Sequence, residues 1–411
     1  MLHENETFKE TEDKYNIVYS IIIFCGILVI LPWNVFITIR GYFVDYKLSE
    51  SYTGTKTNLA TFFVSNLSII SQVPSLCFEY LNLIVRFKGD LKKRIEFILI
   101  VQIILFLINT LLAIFDTSKW PTAFFIITMV TVFFINMSSG IIQNSLYGLS
   151  VLLPPNYISA LIIGTNISGI FSSLLLIIIF STSVSYETIA ICCFSSSSFL
   201  LLVLFVVLTQ LSKNKFYTYY MSQMKEAEKF DKKKIYKVIK KIKIHIFNIF
   251  LIFLVTLSCF PTIVSEIKAI DKDIFQTENL FSVVTCFLIF NVSTTIGSIL
   301  AKYIRFPNIT GLTILIMVRI IFIPLLLFCN YRPNNIRHLP VLFNDAGYII
   351  LNMLLGLTSG HFSTLSFQYL ILSLKDEYKQ IGGMLGGIAL ITGVFIGVFT
   401  SALYPYLISS F

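Results

Sequence analysis

The sequence predicts an all-α integral membrane protein of eleven transmembrane helices, grouped as six and then five. Three observations predict it. First, 56% of the 411 residues are hydrophobic and only 13% are charged, about half the ~25% charge of a soluble domain. Too little charge is present to cover a soluble surface of this size, so most side chains must face lipid or other helices. Second, eleven apolar stretches approach the roughly 20 residues that cross ~30 Å of hydrocarbon as helix. Third, the lysines and arginines are distributed unequally between alternate connecting segments.

The stretches run over 17–39, 58–80, 95–115, 122–151, 158–180, 187–211, 245–265, 280–301, 309–330, 345–371 and 382–409. The first sixteen residues are acidic and polar rather than a short basic lead, so the first span is expected to be retained. With the N-terminus in the cytoplasm, 22 of the 31 basic residues fall on the inner side and 8 on the outer, with Arg319 inside a span. The positive-inside rule therefore places the N-terminus in the cytoplasm and the C-terminus outside. It also accounts for the net charge of +9 without nucleic acid as a partner. The expected organisation is a cytoplasmic N-tail over 1–16, a six-helix bundle over 17–211, a basic cytoplasmic loop over 212–244 and a five-helix bundle over 245–411.

In that loop Lys232, Lys233, Lys234, Lys237, Lys240, Lys241 and Lys243 interleave with Ile235, Ile239, Ile242 and Ile246. The spacing suits an amphipathic helix on an anionic leaflet, chiefly as a positive-inside anchor. The seven cysteines (Cys25, Cys77, Cys192, Cys193, Cys259, Cys286 and Cys329) lie in apolar runs without metal-ligand spacing, which predicts neither disulfides nor a metal site.

Polar residues within spans are costly unless they face a cavity or a neighbouring helix. In the fourth span Asn136, Gly140, Gln143 and Tyr147 share one helical face, and in the eighth Phe287, Asn291, Thr294 and Ser298 do the same. The tenth carries Asn352, Ser359, Ser363 and Ser366, with His361 nearby. Interhelical hydrogen bonding explains any one of these faces; three together favour a lined pathway. Gly164, Ser168 and Ser172 form a small-residue stripe, and the eleventh span carries two overlapping GxxxG pairs, Gly382 with Gly386 and Gly383 with Gly387. Close helix packing is their expected role.

Arg319 sits near the middle of a span, where insertion costs about 2.5–3.5 kcal/mol. A structural or gating ion pair is expected, with Asp345, Glu79 and Glu266 as candidate partners. Pro32, Pro74, Pro154, Pro261 and Pro324 interrupt or end spans, as in helices that line a cavity. No HExxH, GxSxG or P-loop motif is present and the four histidines are scattered. Neither an enzyme nor a cofactor is predicted.

Taken in order, the motifs resemble those of the equilibrative nucleoside transporter family. The first span reads Leu31-Pro32-Trp33-Asn34. The fourth carries Gly140, Gln143, Ser145 and Gly148, followed by Pro154 and Tyr157, and the fifth carries Gly164 and Gly169. Val255-Thr256-Leu257 and Phe260-Pro261 match the seventh-span pattern, and Phe290-Asn291 with Gly297 the eighth. Arg319, Phe322-Ile323-Pro324, Cys329-Asn330 and Pro333 match the ninth, and Gly360, Ser363 and Leu365 the tenth. The resemblance runs from about residue 17 to 409.

It implies a six-plus-five fold like the major facilitator superfamily, with one central site reached by alternating access. By resemblance Trp33 would stack on a nucleobase and Gln143 would read its polar edges. Gln72, Phe260, Pro261, Phe287 and Asn291 would line the same cavity. Asn34, Arg319, Gly140, Gly164 and Gly169 would serve structure or gating. The family's eighth span usually continues Phe-Asn-x-x-Asp-x-x-Gly-Arg, with the acid and the base associated with ribose recognition. Here those positions hold Thr294 and Ser298. Neutral hydroxyls bond a sugar more weakly than charged partners, which opens nucleobase transport or an altered nucleoside preference. Loss of the membrane carboxylate predicts facilitated diffusion without proton coupling. The alternatives are a carrier of another small solute, such as an organic cation, and a non-transporting receptor or scaffold of the same fold. A monomer is expected, with the plasma membrane favoured over an internal one.

Overall fold

A computed structural model describes residues 12–55, 58–84, 91–182, 184–222, 232–271, 278–333, 340–401 and 403–404. Among these residues the regular structure is helical, apart from one isolated bridge pairing Ile267 with Tyr331. The first six long helices are α1 (Ile17–Thr38), α2 (Leu59–Ile84), α3 (Leu91–Ile114), α4 (Pro121–Ser150), α5 (Asn156–Ser181) and α6 (Tyr186–Leu211). A basic segment follows, and then α7 (Lys232–Cys259). The eighth helix, α8, is composite: Glu278–Ser282, a wide π turn over Val283–Leu288, and Ile289–Tyr303. The ninth, α9, joins Ile309–Val318 to Phe322–Leu327 through a tight turn at Arg319–Ile321. The last two are α10 (Asp345–Leu372) and α11 (Asp376–Ser401).

Local chemistry explains several helix starts. The Asp13 carboxylate accepts the main-chain N–H groups of Val18 and Tyr19 at 3.1 and 2.9 Å, tying down the first turn of α1. Asn308 and Asn344 cap α9 and α10 by accepting from Gly311 and Gly347, both at 2.9 Å. Such side-chain acceptors satisfy donors that a helix start leaves open.

Among the described residues ten helices are long and apolar enough to cross a membrane. The tenth predicted span, α10, is as long but more polar. Its Asn352, Ser359, Ser363, Thr364, Ser366 and Gln368 are all buried against other helices, so its hydropathy reports packing rather than solvent. The chain is a multi-pass membrane protein with the predicted fold class; apolarity alone supports ten of the eleven spans. The seventh helix begins at Lys232 rather than near 245, because the lysine-rich segment is itself helical. A break at Ile242 (φ −106°, ψ 15°) separates it from the apolar part. Val238 and Ile242 on this segment are buried, Tyr236 is exposed, and Lys237 reaches the Tyr378 hydroxyl at 3.3 Å.

Within the first six helices α1 packs on α5, α2 on α4, and α3 on both α4 and α6; within the last five α7 packs on α11 and α8 on α10. The two sets meet where α5 crosses α8 and where α4 and α2 meet α11. Glycine makes the tightest crossings. Gly164 lies against the backbone of Ile23 and Gly26 on α1, and Gly360 against the Thr294 carbonyl on α8.

Candidate functional site

Between the two sets of helices lies a cavity of about 370 Å³, within the roughly 300–1,000 Å³ range of small-molecule sites. Trp33 and Asn34 enter it from α1, one turn from the break in hydrogen bonding that Pro32 imposes. Gln72 enters from α2, Asn136, Gln143 and Tyr147 from α4, and Asn166 and Gly169 from α5. From the other side come Thr256 on α7 and Phe260 and Pro261 just after it, Phe287, Phe290, Asn291 and Thr294 on α8, and Ser359 and Ser363 on α10. The π turn at Val283–Leu288 ends one residue past Phe287. Such a turn shifts the helical register locally and recurs at functional sites; here Phe287, Asn291 and Thr294 all reach the cavity.

The walls divide into an aromatic part and a polar part. Phe260 stacks on Phe290 with centroids 3.9 Å apart and meets Phe287 edge-on at 5.6 Å. The polar part is uncharged: among the described residues no Asp, Glu, Lys, Arg or His lines the cavity. The amides differ in how they are held. Those of Asn34, Asn136, Asn166 and Asn291 donate their N–H groups to the protein: to Ser168 at 3.0 Å, and to the main-chain carbonyl of Val132 at 2.9 Å, to Ser298 at 2.9 Å and to the carbonyl of Phe287 at 2.9 Å. Gln72, Gln143 and the Trp33 indole N–H have no hydrogen-bond partner among the described residues, and none is sealed from the cavity.

Beside Tyr147, which lines the cavity, contacts join the two sets of helices. Tyr147 stacks on Phe367 of α10 at 4.8 Å. Gln368 donates to Ser159 at 2.8 Å and Asn144 to the Met384 carbonyl at 2.9 Å.

Of the residues expected to contact substrate, Trp33, Gln72, Gln143, Phe260, Pro261, Phe287, Asn291 and Thr294 line this one cavity. Ser298 does not. It is fully buried one turn beyond Thr294, accepting from Asn166 and donating to the Gly360 carbonyl at 3.2 Å. Of the structural candidates, Asn34 and Gly169 reach the cavity, while Gly140 and Gly164 lie at helix crossings.

Arg319 is 2% exposed and meets no carboxylate among the described residues. Its guanidinium donates to Thr358 at 3.1 Å, Thr256 at 2.8 Å, and the carbonyls of Ile252 and Leu355 at 3.3 Å. The three proposed partners are engaged or placed elsewhere. Asp345 accepts from the main chain of Ile270 and Asp271, Glu266 pairs with Arg332 at 3.3 Å, and Glu79 is buried with both oxygens unpartnered. Arg319 meets the cavity lining through Thr256. Sequence reasoning missed Asn166, although the criterion that singled out Asn136, an amide in mid-span, applies to it equally.

Residues 129–235 and 225–406 match the family model for nucleoside transporters. The human (Homo sapiens) equilibrative nucleoside transporter 1 is 25% identical over 97% of this chain and 99% of its own length. The rat (Rattus norvegicus) equilibrative nucleoside transporter 3 is 27% identical over 87% of this chain and 82% of its own. Among solved structures, a proton:xylose symporter of the major facilitator superfamily superposes with a TM-score of 0.60 at 13% identity. That match covers 96% of this chain and 90% of the symporter.

Proposed function

The chain belongs to the nucleoside transporter family, and from that premise we propose that it carries neutral nucleosides, nucleobases or both by facilitated diffusion. The central cavity would open alternately to the two sides. The observation that carries this reading is the lining itself: aromatic rings, amides and hydroxyls around about 370 Å³, without a charged side chain among the described residues. A flat base suits Trp33, since stacking on an aromatic ring is worth roughly 1–3 kcal/mol per base. Gln143 and Gln72 offer both donors and acceptors to base edges. A nucleoside phosphate would bring charge into a site with no cation, at several kcal/mol of desolvation. An organic cation would find no carboxylate, which disfavours that alternative.

The bundles over 17–211 and 245–411 would rock about this cavity, joined by the basic loop over 212–244, which would rest on anionic lipid. The N-terminus is assigned to the cytoplasm and the C-terminus to the outside, in the plasma membrane. The protein acts as a monomer, without a catalytic step, a cofactor or nucleic acid. No carboxylate in the lining is available to carry a proton with the substrate, which supports uncoupled transport.

The test is uptake of radiolabelled adenosine, uridine and adenine into proteoliposomes, with and without a proton gradient. Saturable uptake that levels off at equal concentrations and ignores the gradient is expected. Trp33→Ala and Gln143→Ala should each reduce it while the amount of folded protein holds. No uptake of any of the three by folded wild-type protein would favour the receptor or scaffold reading, and accumulation against a gradient would overturn uncoupled transport.

A further inference from the structure

The polar wall where α5 meets α8 differs chemically from the rest of the cavity. The Asn166 amide nitrogen donates to the Ser298 hydroxyl at 2.9 Å and to the main-chain carbonyl of Thr294 at 3.5 Å. Both acceptors belong to α8, so both N–H groups are directed there. Ser298 turns its own proton to the Gly360 carbonyl at 3.2 Å, leaving a lone pair for Asn166. A primary amide with both N–H groups so committed presents its carbonyl oxygen on the opposite side. That oxygen accepts no hydrogen bond among the described residues and is not buried, and Asn166 lines the cavity.

The hydroxyls around it are committed in the same sense. Thr294 donates to the Phe290 carbonyl at 2.8 Å, Thr165 to Ile162 at 2.7 Å and Ser363 to Gly360 at 3.2 Å. Each therefore offers the cavity lone pairs rather than a proton. Asn166, Thr294, Thr165 and Ser363 thus accept hydrogen bonds from the cavity and do not donate to it, whereas Gln72, Gln143 and Trp33 retain free donors. A base edge alternates donors and acceptors and suits the second group. A ribose presents several O–H donors and suits the first.

We infer that Asn166 is a specificity-determining residue whose side-chain carbonyl accepts a hydrogen bond from a sugar hydroxyl, with Ser298 positioning its amide. The inference rests on the nucleoside reading above. It assigns different work to the two eighth-span hydroxyls: Thr294 faces the cavity, and Ser298 orients a neighbour that does.

The experiment is paired uptake of uridine against uracil, and of adenosine against its 2′- and 3′-deoxy analogues, in proteoliposomes. Asn166→Ala is expected to lower the riboside-to-base ratio of kcat/KM about fivefold, the factor of one ordinary hydrogen bond. The effect should fall mainly on the riboside KM, and discrimination against one deoxy analogue should be lost. Asn166→Asp keeps an acceptor oxygen that the Ser298 hydroxyl can turn to hold, and should keep that discrimination. Ser298→Ala should move the ratio about twofold in the same direction as Asn166→Ala. Because both solutes are read in the same vesicles, the ratio does not depend on how much protein folds. If Asn166→Ala gives no folded protein, the Ser298→Ala ratio decides. An unchanged ratio and unchanged deoxy discrimination in an active protein overturn the inference alone. Wild-type protein that carries neither nucleoside nor base overturns the functional reading, and the inference with it.

Discussion

Two glycines on one helix, five residues apart, should respond to the same substitution in opposite ways. The nearest atoms a methyl group on Gly169 would meet all belong to the Asn291 side chain, with its amide nitrogen at 2.8 Å and its carbonyl oxygen nearer still. That side chain can swing away. The loss is the Asn291 hydrogen bond to the Phe287 carbonyl, about 1 kcal/mol, plus some overpacking. A methyl on Gly164 would instead meet the Ile23 carbonyl and the Gly26 Cα at 2.9 Å, both main-chain atoms of α1. Ordinary contact begins near 3.4 Å, so α1 and α5 must part, at about 1–3 kcal/mol or more. Gly164→Ala should therefore lower the yield and thermal stability of detergent-solubilised protein. Gly169→Ala should leave both near wild type and raise the substrate KM about fivefold, because Asn291 leaves its place in the cavity wall. The double variant Gly169→Ala with Asn291→Ala supplies the control: once Asn291 is truncated, the nearest obstacles to the added methyl are gone and it should have little further effect. The reasoning fails if Gly169→Ala unfolds as readily as Gly164→Ala, or if it transports with an unchanged KM.

Three further outcomes follow from buried and loop groups. Arg319→Met should lie within about 2 kcal/mol of wild type, because Thr256 and Thr358 keep their own bonds to the carbonyls of Ile252 and Leu354. Arg319→Lys should melt well below Arg319→Met, since it buries an ammonium without the guanidinium fork; a lysine variant as stable as the methionine one would show that charge alone suffices. The Glu79 carboxyl is fully buried and unpartnered, so Glu79→Gln should leave the pH dependence of uptake unchanged, and a flattened profile would show that this carboxyl titrates during transport. In the loop after α3, the main-chain N–H and hydroxyl of Ser118, then the Tyr52 hydroxyl and the Lys47 charge, hold the Asp116 carboxyl below its usual range. A lowered folded value contributes stability above the unfolded value, about 3.9, that fades as pH falls through the folded one. Asp116→Asn should thus be less stable than wild type at neutral pH and converge with it in acid, as thermal unfolding across pH would reveal.

The helices were legible because burial in lipid is a local property of twenty consecutive side chains. The cavity was legible where polar residues recur on one helical face: Asn136, Gln143 and Tyr147 on α4, and Phe287, Asn291 and Thr294 on α8, all reach it. Periodicity says which residues share a face, but not where along that face a crossing helix closes over it. Ser298 continues the stripe, yet α10 crosses there with Gly360 against the Thr294 carbonyl, and Ser298 is sealed in. Arg319 was illegible for a related reason. Hydroxyls and carbonyls from α7 and α10 satisfy it, and no local spacing announces such partners. The polar α10 shows the converse, since its hydropathy falls because its side chains serve neighbours rather than water.

Two positions that are charged in the family's eighth-span pattern are neutral here, and their location gives that change a physical sense. The Asn166–Ser298 bond joins α5 to α8 across the seam between the two sets of helices. In an alternating-access carrier that seam must part in every cycle. A hydrogen bond from α5 to a charged group on α8 would contribute about 1.5–3 kcal/mol, whereas a neutral one contributes about 1 kcal/mol. Each 1.4 kcal/mol is a tenfold change in an equilibrium, so a neutral seam opens far more readily. On the nucleoside reading, the same neutrality would weaken the hold on a sugar, which a facilitator tolerates because it must release substrate on both sides. Weak acceptor bonds from a fixed amide carbonyl and neighbouring hydroxyls would still tell a riboside from a free base by number and position, without a charge that would have to be desolvated each time the site closes.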